Sequence, residues 1–186
     1  MKGFVSLVVV KHPVDRVWVT VRDRLPELGA MLEDVESIVT RERQVVEPGE
    51  VRLVNEWRSS QRIPPVLRNR LGLSELSWLD RNVWDEADHR CSWVIEPTML
   101  TQHVHCAGST CYEPAMGGRG TRVTFAGEFD LEPEALATFA GSLQKPIAAF
   151  VEAVATTVIP RNVRRVMEAA ARLIDAESGP PGSGQA

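Results

Sequence analysis

Cysteine is scarce in this chain: Cys91, Cys106 and Cys111 are the only three in 186 residues. An odd, sparse count builds no disulfide framework, and without a Cys-x-x-Cys pair nothing points to a zinc site. Positive charge is not in excess either. The 21 Lys and Arg residues are outnumbered by 25 Asp and Glu, the net charge is −4 and the pI is near 5.6. The arginines are scattered among acids, so the basic stripe that a nucleic-acid binder uses to displace counterions is missing. The N-terminal apolar run, FVSLVVV, ends at Lys11. A bilayer-spanning helix needs ~20 apolar residues, and a secretory leader needs a longer run and a small-residue cleavage site. No Ser-His-Asp or Cys-His arrangement stands at a defensible spacing. These absences imply a cytoplasmic protein with no integral membrane segment, no nucleic-acid partner, no metal and no cofactor.

What remains is the balance of a globular domain, 44% hydrophobic and 25% charged. The chain is long enough for one sizeable core. FVSLVVV is rich in valine and reads as a buried strand. It stops at Lys11-His12-Pro13, and proline suits a first helical position because its missing N–H would go unpaired there anyway. Val14, Val17, Trp18, Val21 and Leu25 follow at helical spacing, opposite Asp15, Arg16, Arg22 and Asp23. Pro26 ends that helix or starts a short second one, LPELGAML.

Three strand pairs come next. DVESIVTRERQVV and EVRLVNEWRS flank Pro48-Gly49, which suits a type II turn. LSWLDRNVWDE and RCSWVIE flank Ala87-Asp88-His89. QHVHCAGSTCYEP and RVTFAGEFDL flank Met116 to Gly120. Pro133 opens another helical stretch, EPEALATFAGSL. A longer helix runs from about Pro146 to Ala176, with a stripe through Ile147, Phe150, Val151, Val154, Val158, Val163, Val166, Met167, Ala170 and Leu173. Pro160 removes one backbone hydrogen bond within it and should kink it. The class is α+β: strand, helix pair, six strands, long helix. Residues 1–177 form one domain, and 178–186, ending in SGPPGSGQA, form a flexible tail.

The opening VVVKHPVDRVWVTVRDRLPEL combines a strand, a proline, Val17-Trp18 and Asp23 ahead of a second short helix. With the strand count and the final helix, it resembles the helix-grip superfamily (SRPBCC), the birch-pollen-allergen-like, START-like and polyketide-cyclase-like proteins. The resemblance implies a seven-stranded curved antiparallel sheet gripping the long helix, with two short helices between strands one and two. It also implies a cavity between sheet and helix that takes hydrophobic ligands such as lipids, sterols, quinones or polyketides; some members catalyse cyclisation. The superfamily has no universal catalytic motif to carry over, so catalytic residues stay unknown. The segment SSQRIPPVLRNRLGLSE, with Ile63, Val66, Leu67 and Leu71, is longer than a hairpin needs and reads as a short helix; residues 60–75 are a candidate lid.

Facing can be passed from strand to strand, because directly opposed residues in an antiparallel pair share a face. Val123, Phe125, Phe129 and Leu131 alternate with Arg122, Thr124, Glu128 and Asp130, so the apolar set points in. A two-residue Gly117-Gly118 turn then opposes Tyr112 to Val123, Thr110 to Phe125 and Cys106 to Phe129. Val104, Cys106, Gly108, Thr110 and Tyr112 go inward, while His103 and His105 go outward beside Glu132 and Asp130. A three- or five-residue turn would reverse that strand. The outward histidines with Cys111 are a weak metal set, open to water. The glycines of Gly117-Gly118-Arg119-Gly120 join strands rather than open a helix, so they read as a turn and not a phosphate cradle.

The same reasoning opposes Trp84 to Trp93, Asn82 to Ile95, Asn55 to Glu42 and Trp57 to Thr40, with Glu56 outward beside Arg41. Trp57, Trp78, Trp84 and Trp93 thus share the concave face with Glu42, Asn55, Asp80, Asn82 and Thr110. The candidate ligand-binding residues are Trp57, Trp78, Trp84, Trp93, Asn55, Asp80, Cys106, Thr110, Tyr112 and Phe125. Large aromatics there fill a core or wall a cavity. The sequence favours a binding or carrier protein for a hydrophobic small molecule such as a lipid, quinone or polyketide-like compound. One alternative is a cyclase/dehydratase-like enzyme in which Asp80 or Glu42 moves protons on a polyketide-type substrate; another is a regulatory partner-binding module. A homodimer is compatible with the pattern and is not decided by it.

Overall fold

The computed structural model describes residues 1–60, 63, 65, 68–69, 75–98, 102–137, 139 and 141–179. Most of the candidate lid lies outside these residues, as do residues 180–186 of the expected tail; Ile63 is buried. The strands are β1 (Lys2–Val10), β2 (Val35–Glu47), β3 (Glu50–Ser59), β4 (Leu76–Asp85), β5 (Arg90–Pro97), β6 (Val104–Ala115) and β7 (Gly120–Leu131). They form one antiparallel sheet in the order β1-β7-β6-β5-β4-β3-β2. Two short helices, α1 (Val14–Asp23) and α2 (Leu25–Gly29), follow β1. After β7 come α3 (Gly141–Ala153), a π-helical turn (Val154–Val158) and α4 (Ile159–Ser178). Among the described residues, no helix is long and apolar enough to cross a membrane.

The last helix differs from the single kinked rod expected of it. It begins at Gly141, and Pro160 is accommodated by the π turn just before it. Proline offers no N–H to the carbonyl four residues back, so the hydrogen-bond ladder needs local rearrangement. Ile159 N–H reaches back to the Val154 carbonyl, and the Thr156 hydroxyl donates to the Glu152 carbonyl at 2.8 Å. The helix expected after Pro133 is, in the described residues, a 3₁₀ turn over Pro133–Leu136.

Strand facings follow expectation in β6–β7 and β4–β5 and fail at Glu42 in β2–β3, and the register differs in two of the three hairpins. The β6–β7 ladder pairs Tyr112 with Val123, Thr110 with Phe125, Cys106 with Phe129 and His105 with Asp130. Met116, Gly117 and Gly118 all take positive φ in the connection, which is why two glycines sit there. In β4–β5 the ladder closes at Asp85 and Arg90, so the loop has four residues, whereas opposing Trp84 to Trp93 assumes a two-residue turn at Asp88-His89. Trp84 therefore opposes Cys91 and Asn82 opposes Trp93, two residues from the expected partners. A shift of two preserves every facing.

In β2–β3 the register slips at three irregularities. Bulges insert a residue on one strand only, so pairing counted from the turn drifts. Asn55 opposes Thr40, and Glu42 opposes Val54 and is exposed. Glu42 is therefore not an inward acid, which corrects that assignment. Arg41 and Glu56 do pair on the outer face, Nε to Oε2 at 2.6 Å. The reading of β1 as a buried strand also needs correction. It is an edge strand paired only with β7, and Val5, Leu7 and Val9 face out, Val5 with 71% of its surface exposed.

Across the middle of the concave face runs the row Leu53, Asn82, Trp93, Gly108, Gly127, Phe4, one residue per strand. The two glycines leave a flat floor. The Trp93 indole extends over it and packs against Phe125 (centroids 4.5 Å apart, planes at 13°) and Phe4 (6.1 Å, 19°), which also touch each other at 5.8 Å. A Cβ on Gly108 would come within 2.2 Å of the Ala126 carbonyl oxygen and 2.6 Å of the Trp93 ring. Gly108→Ala is expected to destabilise the fold by at least ~2 kcal/mol through this overpacking. Gly141→Ala, whose Cβ would meet nothing, should stay within ~0.5 kcal/mol of the parent. Urea midpoints of the two variants test the difference.

Candidate functional site

Roofing the concave face with α4 leaves a cavity of about 60 Å³. Its floor is supplied strand by strand: Trp57 from β3, Trp78, Asp80, Asn82 and Trp84 from β4, Cys91, Trp93 and Ile95 from β5, Thr110 and Tyr112 from β6, and Phe125 from β7. Val21 and Leu25 close one side. Ile159, Asn162, Val163, Val166 and Met167 of α4 form the roof. Eight of the ten candidate residues are brought together here, all but Asn55 and Cys106. Asn55 is fully buried beside this floor, opposite Asp80, and its Oδ1 accepts from the Thr40 hydroxyl at 2.8 Å. Cys106 lines a smaller neighbouring cavity of about 20 Å³ with Leu76, Pro97, Phe129, Val151 and Ala155.

The rings are interlocked rather than loosely lined up. Trp57 and Trp78, cross-strand partners, stack at 5.6 Å with planes 16° apart. Trp18 of α1 meets Trp84 edge-on at 4.9 Å and Tyr112 at 5.2 Å. Such contacts add ~0.5–1.5 kcal/mol each beyond burial, so these walls hold their shape.

Polar atoms on these walls are poorly satisfied. The indole nitrogens of Trp57, Trp84 and Trp93 are buried with no hydrogen-bond partner. So are both amide atoms of Asn162, a residue only 1% exposed. Buried polar groups in native proteins are nearly always paired, and an orphan costs ~1–3 kcal/mol. Sequence reasoning missed Asn162. The signal was its place beside the α4 stripe, three residues after Ile159 and four before Val166.

Asp80 is the acid of the cavity. Burial pushes its carboxyl up to about 6, and the side chains of Asn82 and Trp57 oppose the rise. The Trp57 contribution falls short of hydrogen-bond geometry, since its Nε1 has no partner. Burial first, and the Asp80 charge second, raise Cys91 well above the ordinary thiol value and push Cys106 up to about 12. Burial also raises Tyr112. At neutral pH both thiols and the phenol are protonated, so neither cysteine offers a thiolate nucleophile. Asp80 can exchange a proton near neutrality.

The outward histidines lie elsewhere. His103 Nδ1 sits 3.0 Å from Glu132 Oε2, and His105 is exposed opposite Asp130. Among the described residues, no three His, Cys, Asp or Glu side chains gather as a metal-binding group.

No family model and no curated protein matches the sequence. Solved structures do match. TTHA0849 from Thermus thermophilus superposes with a TM-score of 0.65 at 18% identity, over 96% of this chain and all of that one. Zhui aromatase/cyclase from Streptomyces sp. R1128 gives 0.63 at 16%, over 96% and 98%. This is the helix-grip fold. Norcoclaurine synthase from Thalictrum flavum shares it at a TM-score of 0.56 and 13% identity, covering 93% and 92%. Identities this low establish the helix-grip architecture and leave the chemistry to the residues of each cavity.

Two outcomes follow from the cavity's energetics. Asn162→Leu, which removes two orphaned polar atoms at similar volume, should stabilise the protein by ~1–2 kcal/mol in chemical denaturation. Asp80 generates a pH dependence. Its carboxyl keeps a proton up to about pH 6 in the fold, against an ordinary value of 3.8. Between those values the folded state holds more protons than the unfolded chain, so stability falls as pH rises through the window, by ~3 kcal/mol in total. Asp80→Asn should flatten that slope, read as the urea midpoint at a series of pH values.

Proposed function

We propose that this helix-grip protein binds a hydrophobic small molecule, of the lipid, quinone or polyketide-like class, between the sheet and α4. The observation that carries the reading is the combination of stacked aromatic walls with unpaired polar atoms on the residues that line one cavity. Apolar surface supplies affinity in such sites, and a few fixed polar groups supply orientation. A ligand that pairs those atoms would recover a cost the empty fold bears. The cavity would hold about four waters at ~15 Å³ each, so binding requires it to widen. The setting we assign is the cytoplasm, where the three free cysteines would stay reduced.

A second reading is supported by Asp80 alone. A carboxyl titrating near 6 against an aromatic wall is suited to passing a proton to or from an enolisable substrate. An aromatase/cyclase and a norcoclaurine synthase share the helix-grip fold, which keeps a cyclase- or dehydratase-like activity in view.

Native mass spectrometry of protein purified without detergent should show a bound mass that is lost on denaturation. Added lipid or quinone should also change tryptophan emission. A bare mass together with unchanged emission across lipid, quinone and polyphenol probes would refute binding. For the enzymatic reading, Asp80→Asn should abolish turnover of any cyclised substrate; unchanged turnover removes Asp80 from the chemistry.

A further inference from the structure

The main cavity and its smaller neighbour share part of their lining. Trp78, Ile95 and Ile159 line both. Their chemistry differs. Around the main cavity stand unpaired N–H donors, among them those of Trp57, Trp84 and the Asn162 amide. The smaller one is walled by apolar side chains, with Ser77 as the one hydroxyl, and that hydroxyl lies 3.1 Å from the Thr98 hydroxyl.

The roof changes character at the same partition. Over the main cavity it is α4, tied down by Arg161 and Arg165 to Asp34, by His12 to Asp175 and by Arg24 to Glu177. Over the smaller cavity it is the end of α3 and the π turn, contributing Val151, Val154 and Ala155. Among the described residues, Lys2–Glu152 is the one ion pair that holds α3. The joint falls at Ile159, the partition residue, followed by Pro160. A π turn beside a proline lacks part of the regular hydrogen-bond ladder, so moving it sacrifices less than bending an intact helix.

We propose that the two cavities are the head and tail halves of one channel, joined when the π turn lifts Ile159, and that its ligand is a single-tailed amphiphile with a neutral, acceptor-bearing head such as an ester or ketone carbonyl. The head sits at the Asn162 amide, and the hydrocarbon tail runs past Ile159 toward Ala155. The donors outnumber the one orphaned acceptor there, Asn162 Oδ1, so a carbonyl oxygen pairs what the empty site leaves unpaired. An ammonium head brings only donors: it can meet the Asp80 carboxylate but leaves the wall donors unmatched. This rests on the binding reading above and names the ligand class for it.

Tryptophan emission reports both halves, because Trp78 lies in each. The probes are methyl hexanoate, methyl dodecanoate, dodecylammonium and toluene. The parent protein should bind the dodecanoate at least about tenfold tighter than the hexanoate, given ~0.8 kcal/mol per buried methylene, and should bind dodecylammonium more weakly than the dodecanoate. Ala155→Phe, filling the tail half, should remove that chain-length advantage and leave the hexanoate unchanged; Ala155→Leu serves the same purpose if the larger variant loses cooperative melting. Asn162→Leu should weaken both esters about tenfold and spare toluene, which has no acceptor. If no probe perturbs the parent, the binding reading itself falls. If the esters bind but chain length has no effect, or Ala155→Phe weakens both equally, the channel is wrong while binding stands. If dodecylammonium matches the dodecanoate, or Asn162→Leu weakens toluene as much as the esters, the head assignment is wrong.

Discussion

The Trp93 indole lies on a floor made by Gly108 and Gly127, and the interior is organised around that contact. With any side chain at either glycine, the indole would be driven up into the space beneath α4. With hydrogens there, the ring lies flat, clusters with Phe4 and Phe125, and leaves the centre of the concave face low. The roof helix can then come down on the sheet's flanks, and a small hollow survives at the middle. Two glycines in the interior of neighbouring strands weaken local pairing; the stacked rings offset part of that cost.

The hollow concentrates what a folded protein ordinarily avoids. Residues that carry orphaned amide and indole atoms, and a partly desolvated carboxyl, line one region. Each lowers stability, and none is needed to fill space, since an apolar residue of similar size would fit as well. Natural proteins tend to keep such defects where function requires them. The same logic applies to the π turn, a rearranged stretch of helix placed over the boundary between an apolar and a polar compartment. The defects in the roof and the walls thus meet over one region, while the bulges of β2–β3 lie outside its lining.

Much of this was legible without coordinates. The alternation of Val123, Phe125 and Phe129, carried through one turn, placed Cys106, Thr110 and Tyr112 inward and both histidines outward. It worked because facing depends only on whether a register is odd or even. For the same reason the four-residue loop before Arg90 moved Trp84 from Trp93 to Cys91 without turning it away from the cavity. Glu42 failed because β-bulges shift one strand by a single residue, and no local signal in TRERQVV marks where they fall. Val5, Leu7 and Val9 were misplaced because valine content speaks to strand formation and not to whether a strand lies at an edge.

Periodicity and composition by themselves determined the element order, the inward set of aromatic rings and the apolar stripe of the last helix, because these are properties of neighbouring residues along one strand or helix. Only the tertiary structure decided that Asn162 and Asp80 belong to one hollow, that Cys106 belongs to the next, and that Ile159 stands between them. Those facts depend on how α4 lies across the sheet. That placement is set by the summed packing of many side chains far apart in the chain, and by the space two glycines leave beneath one indole.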